Sequence, residues 1–432
     1  MKLLVVGSGG REHALVWKLA KSFSTTEIWC APGNPGMAAE RLKSTGETPK
    51  LVPIAADDLP GLLAFATAKG VNLTVVGPDN PLALGIVDLF QDHGLRIWGP
   101  KKRAALFESS KAFSQDFMDR HGVPTAISGT FDDANKARDF VRRLNGRCAV
   151  KADGLALGKG VLLANSVAEA DTAIDEIMVK RSFGDAGTKI VIQEFLEGIE
   201  ISMHALCDGR TFKLFPGAQD HKRALDGDQG LNTGGMGTFS PVPFVTDAEL
   251  ARVGQRLLNP WLQGCASDGI DFRGIIFPGV MLTKNGPRVI EFNARFGDPE
   301  AQVYLTRLEN DLLELLVGSV EGSLATADLP WSPKSSVCVV LASGGDPGPI
   351  TKGKVIHGLE KVAELADVKV FHAGTAMADG KYVTNGGRVL GVTAWADTLA
   401  EAKERAYAAC QHITFEGMHY RRDIAAKGLG RI

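Results

Sequence analysis

Apolar runs alternate with amphipathic stretches in the first hundred residues. The runs in KLLVVGSGG, EIWCAPG and VNLTVVGPDN each end in a glycine turn, and RIWGP is a short fourth run. Continuous apolar runs of this length predict buried strands, and the stretches after the first and third have helical spacing. Strand–loop–helix alternation predicts a doubly wound parallel sheet, with ligands at the carboxyl ends of its strands. We expect this α/β unit to span residues 1–103.

The middle of the chain has a different pattern. AALFESSKAFSQDFMDRHG predicts one helix that ends at Gly122, and residues 120–192 then alternate as strand, hairpin, strand, helix and strand. Two further β-hairpins are expected, one over EISMHALCDGRTFKLFP with its turn at Asp208-Gly209 and one with its turn at Asn285-Gly286. We expect one domain over residues 104–328, in which residues 120–192 form a mobile lid.

The pattern changes again after Pro330 and Pro333. The short strands SVCVVLAS and RVLGVTAWA precede the amphipathic stretch TLAEAKERAYAACQHI. This order predicts a small C-terminal α+β domain over residues 329–432.

Composition narrows the class of protein. The 432 residues are 44% hydrophobic and carry a formal charge of −2, so no basic face for nucleic acid is expected. The six cysteines form no C-x-x-C pair, and no run approaches the roughly 18 apolar residues of a membrane span. We therefore expect a cytoplasmic protein with free buried thiols and no membrane contact, and nothing indicates an obligate protein partner.

The glycine loop GSGGREH follows the first strand. Gly7 and Gly9 fit a dinucleotide fingerprint, but Glu12 stands where the third glycine should be. The loop therefore fails as a nicotinamide signature. The backbone N–H groups at the helix start, together with Arg11, can still bind an anion.

A second glycine-rich stretch, KADGLALGKG, also suggests phosphate binding. It is not a P-loop, because Gly154 and Gly158 are too close and Gly160 stands where a hydroxyl should reach magnesium. We interpret it as a flexible hairpin that carries Lys159. Lys151 lies in the apolar strand before it, and its burial would require an anionic partner.

Two strand ends carry polar groups. In RVIEFNARFGDPE, strand alternation places Val289, Glu291 and Asn293 on one face, and the carboxylate and amide are hard oxygen ligands of the kind that Mg²⁺ takes in small number. In VIQEFLEGIE, the backbone at the strand end could contact a flat heterocycle, and Glu200 could accept ribose hydroxyls.

The polar stretch at residues 219–237 is too long for a plain turn, and we interpret it as a functional loop. It contains Asp220, His221 and Lys222. No G-x-S-x-G motif is present, and no covalent nucleophile is indicated.

Together these residues resemble the ATP-grasp superfamily and, within it, the family of phosphoribosylamine–glycine ligases. The resemblance covers nearly the whole chain and is carried by motifs that include GGREHAL, KADGLALGKG, QDHKR, NTGGMG and EFNARFGDPE. It implies a Rossmann-like first domain and ATP between two lobes. It also implies the joining of glycine to 5-phosphoribosylamine in purine biosynthesis, with ATP and Mg²⁺ or Mn²⁺.

The resemblance assigns residues to each ligand. The nucleotide contacts it implies are Lys111, Lys151, Gly154, Lys159, Gly160, Gln193, Glu194, Leu196 and Glu200, with Glu291 and Asn293 for the metal. The substrate contacts it implies are Gly9, Gly10, Arg11, Glu12, Asn34, Gly77, Pro78, Asp79, Asp220, Lys222, Arg295, Gly297 and Asp298. Asp79 departs from the glutamate usual in the family. The catalytic candidates are Arg295, Lys151 and Asp220: Arg295 would orient the glycine carboxylate, and Asp220 or Asp298 would pair with its ammonium.

Three alternatives stay open at this point. The chain could be another ATP-grasp ligase that carboxylates or formylates a purine intermediate. It could be a nicotinamide-dependent dehydrogenase built on the first domain, or a nucleotide-sensing module without catalysis. The QDHKR and RFGDPE motifs argue against another ATP-grasp ligase. The missing third glycine argues against a dehydrogenase, and the intact Glu291 and Asn293 argue against a module without catalysis.

Overall fold

The computed structural model describes residues 1–155 and 160–430. Its first unit is a parallel sheet with strand order β3-β2-β1-β4-β5, which confirms the doubly wound α/β prediction. The strands are β1 Lys2–Gly7, β2 Glu27–Pro32, β3 Lys50–Leu51, β4 Leu73–Val76 and β5 Ile97–Trp98, and the helices are α1 Gly10–Leu19, α2 Leu59–Lys69, α3 Asp79–Leu84 and α4 Ile86–Asp92. The pattern missed β3, because two residues are too short for a periodic signal.

The single helix expected before Gly122 is two helices, α5 Lys102–Ser109 and α6 Lys111–His121. The prediction was wrong at Ser110, whose backbone is extended and whose Oγ accepts a hydrogen bond from Phe113 N at 3.1 Å. Serine is a preferred N-cap, so the chain restarts a helix there. The break places Lys111 at a helix N-terminus. Gly122 ends α6 in the left-handed region, as expected.

Residues of the predicted lid form a four-stranded antiparallel sheet of order β6-β9-β7-β8. Its elements are β6 Ser128–Phe131, α7 Ala134–Arg143, β7 Cys148–Ala152, β8 Val161–Ala164, α8 Val167–Ile174, a π-helical turn Asp175–Val179, and β9 Ile190–Glu194. Apolar residues of α7 and α8 pack on one face of this sheet and give it a core of its own.

The central sheet has the order β10-β17-β11-β12, with β18 paired to β17. Its strands are β10 Ile199–Ser202, β11 Ala205–Asp208, β12 Phe212–Leu214, β17 Arg273–Thr283 and β18 Gly286–Asn293, and its helices are α9 Asp247–Ser267, α10 Glu300–Arg307 and α11 Leu312–Glu321. The hairpin turned at Asn285 is present. The other expected hairpin is only β11–β12, because its first arm breaks after Ser202 and both pieces pair with β17.

The stretch at 219–237 is not an irregular loop. It contains β13 Gln219–Asp220, an antiparallel ribbon of β14 Arg223–Leu225 and β15 Gln229–Asn232, and the start of β16 Gly237–Ser240. We call residues 223–232 the ribbon. The expected loop was wrong because short paired strands satisfy most of this polar backbone.

The last sheet has the order β13-β16-β19-β23-β20, so it takes two strands from before residue 329. Its further elements are β19 Ser335–Ala342, α12 Leu359–Ala363, β20 Val368–His372, the hairpin β21 Thr375–Ala378 and β22 Lys381–Thr384, β23 Arg388–Ala396 and α13 Leu399–Cys410. Short 3-10 turns lie at Met37–Ala39, Gly184–Thr188, Asp226–Asp228, Leu324–Thr326 and Lys427–Leu429. The division at residues 103 and 328 stays a proposal, and the shared sheet ties the C-terminal region to the centre.

Candidate active site

A cleft of about 1020 Å³ lies between the lid sheet and the central sheet. It is lined by residues from the first unit, the lid, the centre and the C-terminal region. The predicted site residues that line it are Arg11, Asp79, Lys111, Lys151, Gly154, Gly160, Gln193, Glu194, Leu196, Glu200, Asp220, Lys222, Glu291, Asn293, Arg295 and Asp298. Lys159 lies outside the described residues.

Two lysines, Lys111 and Lys151, line the cleft. Lys111 begins α6, and its Nζ donates to Gly154 O at 2.9 Å, which ties the glycine stretch to a helix N-terminus. The buried Lys151 on β7 donates through Nζ to Ile290 O at 2.9 Å. Burial lowers the pKa of Lys151 to about 8, and the nearby Lys111 acts in the same direction. The positive charges of Lys111 and Lys151 therefore lie near each other, and a bound anion would stabilise both.

The carbonyl of Ile290 is available to Lys151 because of a β-bulge. Gly279 pairs with Glu291 and Val280 with Val289, so Ile290 is an extra residue in β18. A bulged residue is unpaired in the ladder. The bulge also makes one prediction wrong: Val289 does not share the face of Glu291, because it is fully buried in the same core cluster as Phe292.

Glu291 and Asn293 both line the cleft at the end of β18. Burial would raise the pKa of Glu291, but the charges of Lys222 and Lys151 outweigh it and the pKa is lowered. Asn293 donates from Nδ2 to Phe277 O at 3.3 Å, which orients its amide oxygen. The pair is thus an ionised carboxylate and an oriented amide oxygen.

Glu200 and Lys222 form an ion pair at the edge of the cleft. Burial alone would lower the pKa of Lys222, but the negative charges of Glu200 and Glu291 outweigh this effect and raise the pKa. Gln219 Nε2 donates to Glu200 O at 2.9 Å, which fixes β10 beside β13. Lys222 therefore lies between Glu200, the candidate contact for ribose, and Glu291, the candidate metal ligand.

Apolar side chains also line the cleft, and they include Met118, Leu163 and Met281. Gln193 Nε2 donates to Gln115 Oε1 at 2.9 Å, and Glu194 Oε1 accepts from Ile127 N at 2.8 Å. The side chains of both β9 residues are thus held by neighbouring elements.

Arg295 lies just after the end of β18, with Ala294 between them. Its Nη2 lies 2.7 Å from Glu108 Oε1 and 3.2 Å from Asn293 Oδ1. Its buried Nε has no hydrogen-bond partner among residues 1–155 and 160–430. Glu108 is also anchored by Ala294 N at 2.8 Å. Burial raises the pKa of Glu108, although Arg295 opposes it. Arg295 is therefore oriented from one side, with a donor left for a ligand.

Three carboxylates meet near the start of α10. Burial and mutual repulsion raise the pKa of Asp220 well above its usual value, and burial raises that of Glu300, which accepts from Ser202 Oγ at 2.8 Å. Asp298 differs. Burial acts to raise its pKa, but Arg388 and Arg11 outweigh it, and the pKa is lowered. The negative charge around Asp298 is thus neutralised, whereas Asp220 and Glu300 form a site that favours a cation.

Glu12 lies beneath the first glycine loop and not in the cleft. Its Oε2 accepts from Gly9 N at 2.7 Å, and its Oε1 lies 2.5 Å from Arg11 Nε. A Cβ at Gly77, or at Gly7 where φ is +119°, would overlap the Glu12 side chain. The residue that breaks the dinucleotide fingerprint therefore fills the space under the loop and orients Arg11.

The remaining predicted substrate residues shape the first loops. Asn34 is buried; its Nδ2 donates to Ser8 O at 2.9 Å and to His372 O at 2.8 Å. Pro78 precedes α3, and Asp79 at the start of that helix faces the cleft. The backbone at Gly10 approaches Gln302 and Asp298, and Gly297 N donates to His204 Nε2 at 3.1 Å. These residues join the loops to the end of β18.

Several charged side chains of the cleft were not among the predicted site residues, and they include Glu108, Glu300 and Arg388. Glu108 was assigned to a continuous helix, and Glu300 ends a quoted motif without a role. Arg388 on β23 donates from Nη1 to Asp298 O at 2.7 Å and to Gly234 O at 2.9 Å. Nothing in the local pattern around Arg388 indicates contact with a site about 90 residues earlier.

Among residues 1–155 and 160–430, no three His, Cys, Asp or Glu side chains form a metal cluster, and no helix is long and apolar enough to cross a bilayer. All six cysteines are buried and free. Any metal here would therefore take few protein ligands, as Mg²⁺ does when phosphates and water complete its shell.

The fold and the cleft define an ATP-grasp protein. A biotin carboxylase from Campylobacter jejuni, whose title describes a complex with β,γ-ATP, has a TM-score of 0.74 over 99% of this chain and 98% of its own, at 14% identity. At that identity the likeness shows the fold alone.

The family follows from closer matches. The models of the phosphoribosylglycinamide synthetase N domain, ATP-grasp (A) domain and C domain match residues 1–108, 109–301 and 336–427. The chain belongs to the phosphoribosylglycinamide synthetase family. This excludes the dehydrogenase and the other ATP-grasp ligases considered from the sequence.

Similar proteins cover the whole chain. The phosphoribosylamine–glycine ligase of Vibrio vulnificus strain CMCP6 is 46% identical over 434 residues, which is 100% of this chain and 99% of that protein. That of Brucella melitensis is 45% identical over 431 residues, with the same coverage. The crystal structure of the Thermotoga maritima phosphoribosylamine–glycine ligase has a TM-score of 0.82 at 32% identity, over 98% of this chain and 100% of that one.

Proposed function

We propose that this chain ligates glycine to 5-phosphoribosylamine with ATP, through glycyl phosphate, and so makes glycinamide ribonucleotide, ADP and phosphate in purine biosynthesis. The observation that carries the proposal is one cleft that joins Lys111, Lys151, Glu291 and Arg295 to the glycine loops of the first unit. The names of the full-length relatives support the choice of substrates.

Activation of the carboxylate is a matter of position and charge. A carboxylate oxygen is a poor leaving group, and transfer of the γ-phosphoryl group replaces it with phosphate. Such transfer needs in-line placement and stabilised charge more than a protein nucleophile. Lys111 and Lys151 would hold the phosphates, and each well-placed donor typically contributes about 3–4 kcal/mol to lowering the barrier. Lys159 would add a further cation from the glycine stretch.

The residues on β18 fit a divalent cation. Glu291 is ionised beside Lys151 and Lys222, and the Asn293 amide oxygen is oriented by its Nδ2 bond. Both are hard oxygen donors, as Mg²⁺ and Mn²⁺ prefer. When bound, the metal would offset the negative charge of the phosphates.

The glycine would lie between Arg295 and the buried carboxylates. Arg295 would orient its carboxylate and stabilise the oxyanion formed when the amine of phosphoribosylamine attacks the carbonyl. Asp298 is already paired with Arg388, with 3.3 Å between Oδ2 and Nη2, so we assign the ammonium to Asp220 beside Glu300. The ammonium would relieve the repulsion that raises their pKa values.

The first loops would hold phosphoribosylamine. Gly9, Gly10 and Arg11 would contact its phosphate, Asp79 its ribose hydroxyls, and Asn34 and Glu12 would keep these loops in place through the contacts described above. Gln193 to Leu196 would bracket adenine, and Glu200 would bind the ribose of ATP.

Residues 120–192 would close over the acyl phosphate and exclude water. We expect slower amide hydrogen exchange in this lid when ATP and magnesium are added. Equal exchange with and without nucleotide would contradict lid closure. The free thiols support a reducing, cytoplasmic setting for the reaction.

The test is ADP release with glycine and freshly made phosphoribosylamine, each omitted in turn, and with bicarbonate or formate in place of glycine. Glycine labelled with ¹⁸O in its carboxylate separates the chemical routes. Transfer of one ¹⁸O atom into the released phosphate is the expected result. Unlabelled phosphate would rule out glycyl phosphate.

A further inference from the structure

The C-terminal segment after α13 holds the ribbon at the edge of the cleft. Arg421 is a fully buried arginine on this segment. Its Nη1 donates to Asp228 Oδ1 at 2.9 Å and to Arg223 O at 3.1 Å. Both acceptors belong to the ribbon, almost 200 residues earlier in the chain.

The segment itself is anchored from behind. Arg421 donates from Nε and Nη2 to the carboxylate of Asp423 at 2.7 and 2.6 Å. Tyr407 on α13 donates to Arg421 O at 2.7 Å and accepts from Ile424 N at 3.0 Å. The backbone of this segment is therefore held by α13, and Asp423 holds the guanidinium of Arg421.

The two ends of the ribbon meet at Lys222. The carbonyl of Lys222 accepts from Thr233 N at 2.7 Å, and the carbonyl of the next residue, Arg223, is the one that Arg421 holds. Lys427 pairs with Asp228, and both line the cleft. The backbone that carries Lys222 is thus fixed by a buried arginine that is itself absent from the cleft lining.

We infer that Arg421 is a positioning residue for the ligation, which acts by holding Lys222 beside Glu200 and Glu291. The part of this inference that concerns ligation rests on the proposed function. The part that concerns nucleotide binding can be tested without the reaction. If Arg421 is lost, the ribbon loses a buried support and Lys222 is released from the geometry in which it meets both carboxylates. A residue that only stabilised the fold would not act through Lys222.

A double-mutant cycle on the full chain tests this. The variants are Arg421→Met, Lys222→Met and both together, with Arg422→Met as the matched control, because Arg422 is the exposed neighbour on the same segment. The measurements are the Kd of a non-hydrolysable ATP analogue with Mg²⁺, without glycine or phosphoribosylamine, and the KM of each substrate.

We expect Arg421→Met to weaken nucleotide binding on the order of tenfold, within the range for residues that share a hydrogen-bond network. In the Lys222→Met background, Arg421→Met should cause little further loss of nucleotide affinity. It should leave the KM of phosphoribosylamine unchanged, and the control Arg422→Met should have no effect on either quantity. Fully additive losses in the double variant, or an unchanged nucleotide Kd in Arg421→Met, would overturn the inference.

A second variant keeps the test open if Arg421→Met does not fold. Asp228→Asn removes one charged partner of Arg421, and asparagine tolerates the left-handed backbone found there, with φ of 55°. It should weaken nucleotide binding in the wild-type background and not in the Lys222→Met background. One outcome separates the two proposals. If no ADP is released with glycine, bicarbonate or formate, but Arg421 and Lys222 are still coupled in nucleotide binding, the proposed reaction is refuted and the role of Arg421 stands.

Discussion

The guanidinium of Arg295 lies 2.7 Å from the carboxylate of Glu108, measured from Nη2 to Oε1. The two residues are far apart in sequence and both line the cleft. Glu108 lies at the end of α5, next to the helix break, and Ala294 N holds its second oxygen. The break in the helix and the end of β18 therefore determine together where Arg295, the candidate oxyanion ligand, points.

Glu108→Gln is expected to lower kcat about a hundredfold, the effect typical of a misplaced charge-stabilising donor. Arg295 would lose its charged partner, while the lysines proposed to bind ATP are unchanged. Steady-state ADP release with a parallel ATP-binding titration checks this. The exposed Glu404→Gln on α13 is the control. A Glu108→Gln enzyme with normal kcat would show that Arg295 does not need this partner.

Lys151 predicts a pH dependence of nucleotide binding. Burial lowers its pKa to about 8 in the free protein, and bound phosphates would raise the pKa again. Binding should therefore take up about half a proton near pH 8 and almost none at pH 6, and affinity should fall as pH rises above 8. Calorimetry in buffers of different ionisation enthalpy measures this uptake. Lys151→Met should abolish it, and uptake that persists in this variant would assign the proton to another group.

Glu291→Gln is expected to lower the affinity for Mn²⁺ and to reduce turnover by on the order of a hundredfold or more. The variant removes one of the anions that balance Lys222 and Lys151, so the local charge becomes more positive. Mn²⁺ binding can be followed by electron paramagnetic resonance without turnover. Asn293→Ala should have the same direction of effect, and Glu364→Gln on the exposed surface should have none. Wild-type Mn²⁺ affinity in both site variants would remove the metal assignment.

Arg388→Met should move the acidic limb of the pH profile for glycine to higher pH. Burial alone would raise the pKa of Asp298, and Arg388 is the first of the charges that lower it. Without that arginine, Asp298 would take up a proton at a higher pH. The negative charge beside the proposed Asp220 site for the glycine ammonium would then be lost earlier as pH decreases, and kcat/KM for glycine would fall with it. The exposed Lys352→Met is the matched control. An unmoved acidic limb would show that Asp298 is not titrated in this range.

Much of the site could be predicted from local motifs. Lys151, Glu291, Asn293 and Arg295 lie in short stretches whose residue types already indicate phosphate and metal chemistry. Whether each contacts its ligand stays a prediction, but the structure places all four around one cleft. The strand and turn patterns likewise predicted the first sheet and the hairpin at Asn285.

Other features depend on distant contacts. The bulge at Ile290 arises from pairing with β17, and it decides both the partner of Lys151 and the burial of Val289. Strand alternation assumes regular pairing, so it could not show the bulge. The helix break at Ser110 was readable in principle, since serine is a common N-cap, but the apolar spacing on both sides concealed it.

By itself the sequence determined the order of strands and helices, the glycine loops and the cationic and acidic motifs, because these follow from spacing and residue type within about a dozen neighbours. Only the tertiary structure decided that two arginines of the C-terminal region contact residues of the cleft, Arg388 at Asp298 and Arg421 at Asp228. It also decided that Glu108 pairs with Arg295 and that the side chain of Glu12 fills the space under the first glycine loop. The reason is physical. A buried charge requires a partner of opposite sign or a carbonyl, and chain folding supplies that partner from any distance along the sequence.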